Sequence, residues 1–438
     1  MLNQDTQSFR STICSLLAIL LVTAGPALAR ELTLDQAVDE ALANNQAIAE
    51  ASAYRQAAAY GEAGARAAFF PKLAAAYTYT NLAENPYVNI AGNQVIVNST
   101  DQHHWEVRVS QPLFAGFGID SRHQLASLGL ENADLEVRRA ELSVAFQAKQ
   151  AYFGLLMAEK GFAVAQTAEK NLAAHEADAE QFFARGLIPY NDLLKAQVAR
   201  ADAVQELERA AVQVRTATST LNIVLGRTYD ARTAVKDMTV IEPLRADLDT
   251  LVKEALAQRP DIEVLAKSVE AKDQEIRLAD SDFYPQVELV GKYQQDGDDM
   301  GANNNDYANQ YNASIGVRAT WVFFEAGKTR ARSARAGSEK IALGKALLRF
   351  KDQVRLQVQQ AFLGLEVAEK NITTATKALD QAREHWRIAN IRYHQQLTTS
   401  TEVLDARTYL TRAETNYYRT LYGYGIAKAD LEQALGKK

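Results

Sequence analysis

Ala151-Tyr-Phe-Gly-Leu-Leu-Met-Ala-Glu-Lys160 returns, 210 residues later, as Ala361-Phe-Leu-Gly-Leu-Glu-Val-Ala-Glu-Lys370. The same offset pairs Phe183–Ala196 with Tyr393–Ala406, through Leu187 and Leu397, Leu194 and Leu404, and Ala196 and Ala406. It also pairs Leu221–Gly226 with Leu431–Gly436. Nearer the start of each half the offset is 214: Glu40–Ala43 matches Glu254–Ala257, and Phe69-Phe-Pro71 matches Phe283-Tyr-Pro285. The change falls between Pro71 and Phe114, so one loop there is longer in the first half. A duplicated unit of about 200 residues is too long for a solenoid repeat. The halves are read as residues 30–229 and 247–438, joined by a connector at 230–246.

Each half runs helix, strand, strand, long helix, returning helix. The first helix, over about 33–68 or 248–282, opens on a capping signal: Thr33-Leu-Asp-Gln36 fits a capping box, and Asp247 holds the matching position. It is expected to end before Pro71 or Pro285, because the residue ahead of proline avoids the helical region. The period then changes to two. Leu73, Ala75, Tyr77 and Tyr79 alternate with small or polar residues, as do Trp105, Val107 and Val109. In the second half Val287, Leu289 and Tyr293 form one such run, and Tyr311 to Phe323 the other. This alternation predicts strands at about 72–82, 103–115, 286–295 and 311–324, with lengths and aromatic ends that suit tilted membrane strands.

Proline is absent between Pro112 and Pro189 and after Pro285. The stretch from about 119 to 185 can therefore form one helix of about 100 Å. Leu128, Leu135, Leu142 and Leu156 fall at multiples of seven, as do Leu347, Val354, Ala361 and Ala368, which points to coiled-coil packing. Short turns at Gly186–Pro189 and Leu397–Ser400 then lead into helices of about 35 residues.

The 438 residues carry a net charge of -6 and 47% hydrophobic content, with a pI near 5.7 and a mean hydropathy of -0.25. An acidic chain without a long basic run makes a poor nucleic-acid partner. The apolar stretch Ile13–Val22 followed by Ala27-Leu-Ala29 reads as a secretory signal peptide over residues 1–29. The single cysteine, Cys14, lies inside it, so neither disulfides nor metal thiolates are expected afterwards. No later window is apolar enough for a transmembrane helix. Four strands cannot close a barrel, since bacterial outer-membrane barrels begin at about eight. An open sheet in lipid leaves its edges unsatisfied, so a membrane role requires oligomerisation. The strand count alone does not choose between two copies and three.

The duplicated order, with Leu32-Thr-Leu-Asp-Gln-Ala-Val-Asp-Glu-Ala-Leu42, Phe69-Phe-Pro-Lys-Leu73, Gln111-Pro-Leu-Phe-Ala-Gly116, Gly186-Leu-Ile-Pro189 and Thr401-Glu-Val-Leu-Asp-Ala406, resembles the TolC family of outer-membrane efflux and secretion channels. The second half departs from the Pro-Leu-Phe-x-Gly string with Val322-Phe-Phe-Glu-Ala-Gly327. The resemblance implies a mainly α fold with a membrane β-barrel. In it a homotrimer shares a 12-stranded barrel in the outer membrane of a Gram-negative bacterium, continued by a helical periplasmic tunnel. It implies contact with outer-membrane lipid, and as partners a periplasmic adaptor (a membrane fusion protein) and an inner-membrane RND pump or ABC exporter. The function implied is the exit channel of a tripartite efflux pump or type I secretion system.

A passive duct needs a pore, a closable constriction and a docking surface, but no nucleophile or cofactor. Glu402 and Asp405 stand three apart at the start of the last helix and share a face. By resemblance they form the periplasmic gate, with Asp192 the first-half counterpart of Glu402. Thr399 and Glu402 also fit a capping box, which is an alternative reason for the acid. The turns Gly186, Leu187, Ile188, Pro189 and Leu397, Thr398, Thr399, Ser400 are the candidate docking tips. Lys328, Arg330, Arg332 and Arg335 read as a polar anchor beneath the membrane or as a solvated face. Gly116-Phe-Gly118 lacks the third glycine of a dinucleotide fingerprint, and the histidines are scattered, so no catalytic, cofactor or metal constellation is found. The rival reading is a periplasmic coiled-coil scaffold or adhesin without a pore.

Overall fold

A computed structural model describes residues 31–237 and 247–438; the expected signal peptide and most of the connector lie outside the described residues. The first half holds α1 (Leu34–Asn44), α2 (Gln46–Ala67), β1 (Lys72–Asn81), β2 (Tyr87–Ile90), β3 (Asn93–Ile96), β4 (Asp101–Ala115), α3 (Gly118–Ala184) and α4 (Tyr190–Val224). The second holds α5 (Leu248–Gln258), α6 (Pro260–Asp280), β5 (Gln286–Gly297), β6 (Tyr311–Thr320), α7 (Lys328–His394) and α8 (Ser400–Leu435).

The helix expected over 33–68 is two helices. Thr33 and Gln36 do form the capping box, each backbone N–H donating to the other's side chain at 3.2 and 3.3 Å. At Asn45, however, the backbone turns extended (ψ 131°) and the Asn45 side chain accepts from Ala47 N, starting a second helix. The helix expected over 248–282 is broken likewise at Arg259, whose ψ of 120° is the extended state that Pro260 imposes on its predecessor. The loop after β1 contains an unexpected hairpin, β2–β3, turned at Ala91 and Gly92 with φ of 49° and 87°. β6 stops at Thr320 instead of reaching 324. Its partner begins at Gln286, directly after Pro285, which has no N–H to extend the ladder.

The main sheet is antiparallel in the order β1-β4-β5-β6. Its central pairing, from His103 opposite Gly297 to Ala115 opposite Gln286, joins a strand of one half to a strand of the other. Alternation gives the sheet two unlike faces. One carries Leu73, Tyr77, Trp105, Val109, Ile315 and Val317, all exposed, with the Tyr77 and Trp105 rings 4.6 Å apart. The other carries ion pairs across the ladder: Lys292 to Glu106 at 2.8 Å and Arg318 to Glu288 at 3.1 Å. A sheet exposing its apolar face and pairing charges on the opposite one suits lipid against the first face and water against the second. No described helix is long and apolar enough to cross a membrane.

The described residues form two compact units that cut across the sequence halves. One takes Asn371–Ile426 with described residues before Asn44 and others after Phe146 as far as 237; the other takes Asn44–Phe146, described residues from 247 to Lys370, and Ala427–Lys438. In the first unit, Leu32 bridges Val235 and is fastened by Tyr152, whose single hydroxyl proton is shared between Lys236 O at 2.6 Å and Leu32 O at 2.9 Å. Burial pushes the Tyr152 pKa up to about 12. Asp237 accepts from Tyr422 Oη at 2.8 Å and pairs with Lys160 at 2.7 Å.

Candidate functional site

Both helical hairpins turn by the same device. Gly186 N donates to Phe183 O and Leu187 N to Phe182 O; Gln396 N donates to Tyr393 O and Leu397 N to Arg392 O, all at 2.8 to 2.9 Å. These bonds satisfy the last carbonyls of α3 and α7 in Schellman fashion. The C′ residue is left-handed in each, Gly186 at φ 73° and Gln396 at φ 59°. Leu187 and Leu397 then stand out, 47% and 63% exposed, while Pro189 and Thr399 are also exposed. Ile188 instead packs on Ala179, Leu193 and Ala196, and Thr398 is half-buried. Ser400 offers no surface: it is fully buried, with His175 Nε2 and Ser400 Oγ 2.8 Å apart.

Ser400 opens α8, so Glu402 and Asp405 lie within its first two turns, and both are exposed. Carboxylates there also favour the helix N-terminus. Glu402 meets His385 Nε2 at 3.4 Å. Asp192 is more enclosed: it pairs with Lys195 at 3.4 Å, and Lys195 Nζ donates to Thr401 Oγ1 at 3.0 Å. One lysine thus ties the first-half acid to the helix that carries the second-half acids.

Behind these groups lies a cluster that the sequence reading missed. His175 is 4% exposed, its Nδ1 lacks a hydrogen-bond partner, and its ring lies 4.7 Å from that of Tyr393. Burial lowers the His175 pKa, opposed by Asp178. Burial, then Asp178 and Asp192, push the Tyr393 hydroxyl up to about 12. Arg407 is 3% exposed beneath Trp386, and burial lowers its pKa although Glu414 lies at 3.3 Å. A signal was present: His175 and His385 are 210 apart, each 17 residues before Asp192 or Glu402. The basic cluster after β6 is largely compensated, by Glu325 on Lys328, Asp282 on Arg332 and Glu339 on Arg335.

A four-stranded sheet with a lipid-type face and two long helical hairpins in one chain is the element content of an outer-membrane channel. The sequence pattern of the outer membrane efflux protein family matches residues 37–227 and 251–437. The chain belongs to that family of channels, and is an outer-membrane protein with a periplasmic part. It is similar to the outer membrane efflux protein BepC of Brucella suis, 25% identical over 348 residues that make up 76% of this chain and 71% of the relative. Its fold is similar to the CmeC outer membrane channel of Campylobacter jejuni, with a TM-score of 0.81 and 17% identity over 92% of this chain and 85% of that one. A membrane protein from Pseudomonas aeruginosa matches at a TM-score of 0.80 and 20% identity, over 92% of this chain and 90% of that one.

Proposed function

We propose that three copies share one 12-stranded barrel and form the outer-membrane exit duct of a tripartite assembly. An inner-membrane transporter of the RND or ABC exporter class supplies the cargo, and a periplasmic adaptor joins it to the duct. The observation that carries this reading is the four-stranded sheet with β1 and β6 at its edges. An unpaired strand edge in hydrocarbon costs several kcal/mol per group, and pairing β6 of one copy with β1 of the next removes both edges. Sedimentation equilibrium in non-ionic detergent is expected to give three chains per particle; one or two would overturn the shared barrel.

In this assembly Glu402 and Asp405 of three copies form an acidic ring at the periplasmic constriction, braced by Asp192 through Lys195. Leu187 and Leu397, flanked by Gly186, Pro189 and Thr399, form the apolar knobs an adaptor grips, with Ile188, Thr398 and Ser400 holding the turns from beneath. Glu402→Gln with Asp405→Asn is expected to lower the cation-over-anion permeability ratio in planar bilayers. An unchanged ratio would remove both from the lumen.

A further inference from the structure

Asp405, Arg412 and Arg419 recur every seven residues along α8 and so share one face of that helix. The face borders a groove of about 630 Å3 whose other walls come from α3 and α4. The floor is small and apolar, with Gly161, Val164, Ala165 and Ala168 from α3 and Ala203 and Ala210 from α4. The rim is basic: Arg407, Arg412 and Arg419 from α8 and Arg209 from α4, against Asp202 and Glu206. Arg209 is engaged by Glu206 at 2.9 Å. Arg412 and Arg419 have no ion-pair partner among the described residues. Arg407, almost wholly buried over the Trp386 ring, pairs with Glu414 at 3.3 Å and has an Nε without a hydrogen-bond partner. A buried guanidinium with one donor unmatched adds positive potential to the wall of the groove.

A second cavity of about 480 Å3 continues the groove, sharing Gly161, Gln213, Thr415 and Arg419 with it. Its further lining includes Gly154, Met157, Ala158, Val212 and Ala217. A cationic lobe therefore opens onto an apolar one, and each volume lies within the range of roughly 300–1,000 Å3 that small-molecule sites occupy. We propose that this two-lobed groove binds an anionic amphiphile: a carboxylate or sulfonate held by Arg412 and Arg419, on a rigid apolar body that lies across Gly161 into the second lobe. Charge complementarity selects the head and the small-residue floor admits the body. The site stands whether or not Asp405 gates the duct; where it does, the shared face of α8 turns the groove toward the cargo path.

The test is isothermal titration calorimetry of the assembled full chain in maltoside micelles, with naphthalene-2-sulfonate as the probe. Saturable binding is expected for the wild type, weakened about tenfold or more in R412Q/R419Q and largely kept in R412K/R419K, because the charge-assisted bonds are what change. A Cβ built at Gly161, which lines both lobes, meets nothing within 4 Å, so Gly161→Leu starts without a clash, adds bulk to the groove and is expected to weaken binding about as much. The neutral probe 2-naphthalenemethanol is expected to give no saturable heat. Equal affinity in R412Q/R419Q, equal affinity for the neutral probe, or no saturable wild-type heat overturns the proposal; a second copy or a partner helix filling the groove would give that last result.

Discussion

The α3–α4 and α7–α8 hairpins share a backbone but divide its polar work differently. The long helices are 67 residues each, and the bounds of α3, the start of α4 and the turn between them all recur 210 residues on. In the second hairpin His385 is exposed and faces Glu402 of its own hairpin. In the first, the equivalent His175 is buried and reaches across to Ser400 of the other hairpin, leaving Asp192 to Lys195. The left-handed turn position is glycine in one and glutamine in the other. Tyr152, which holds the connector, has Phe362 as its counterpart. Duplication supplied two similar hairpins, and a handful of side chains made one the fastener and the other the free face.

The comparison breaks most sharply at the histidines. His175→Ala is expected to cost about 2–3 kcal/mol, from a buried cavity and an unpaired Ser400 hydroxyl. His385→Ala should cost less than about 0.5 kcal/mol, since exposed pairs contribute little. Chemical unfolding in detergent, followed by circular dichroism, compares them, and equal losses would refute the division of roles. Tyr152→Phe makes the first half resemble the second and is expected to cost about 1–2 kcal/mol, because Lys236 O and Leu32 O lose a donor. At the turns, Gln396→Gly should stabilise and Gly186→Ala destabilise, each by about 1 kcal/mol, as only glycine takes a positive φ without strain.

The pH dependence is the finest probe. Burial holds His175 below its ordinary value of about 6.5, with Asp178 raising it, His394 lowering it, and Tyr393 and Ser400 neutral against the ring. The native state then binds fewer protons than the unfolded state as pH falls through that value. Its stability is full above about pH 6.5 and declines below it, until the folded pKa is passed. His175→Gln should flatten this slope in unfolding measured between pH 7.5 and pH 5, and an unchanged slope would remove His175 as its source.

Much of the fold was legible because duplication and period are carried by many residues at once. The strands announced themselves through alternation at Leu73–Tyr79 and Trp105–Val109, and the long helices through the missing prolines. The break at Asn45 was hidden because one residue's cap, not a pattern, makes it; Pro260 did signal the other break. At the candidate gate, Glu402 and Asp405 were visible as a spaced pair on one helix. Tyr393 and Arg407 were not, since what distinguishes them is burial, and His175 showed only as the repeat of His385, with nothing to mark it as the buried one of the two. The exposure of Glu402, and the burial of Ser400 beside it, likewise depend on tertiary packing.

The way the compact units cut across the halves also shapes how the chain folds. One unit needs described residues before Asn44 together with Asn371–Ile426, and the other needs Ala427–Lys438. The central ladder waits for β5 to reach β4, with His103 pairing to Gly297. Neither unit can close on a nascent chain that lacks its C-terminal segments. Folding is therefore expected to finish only after synthesis and to be slow, since long loops close before their contacts form. Until then β4 offers a bare edge, a site where chains can mispair and a natural point of grip for a holdase chaperone.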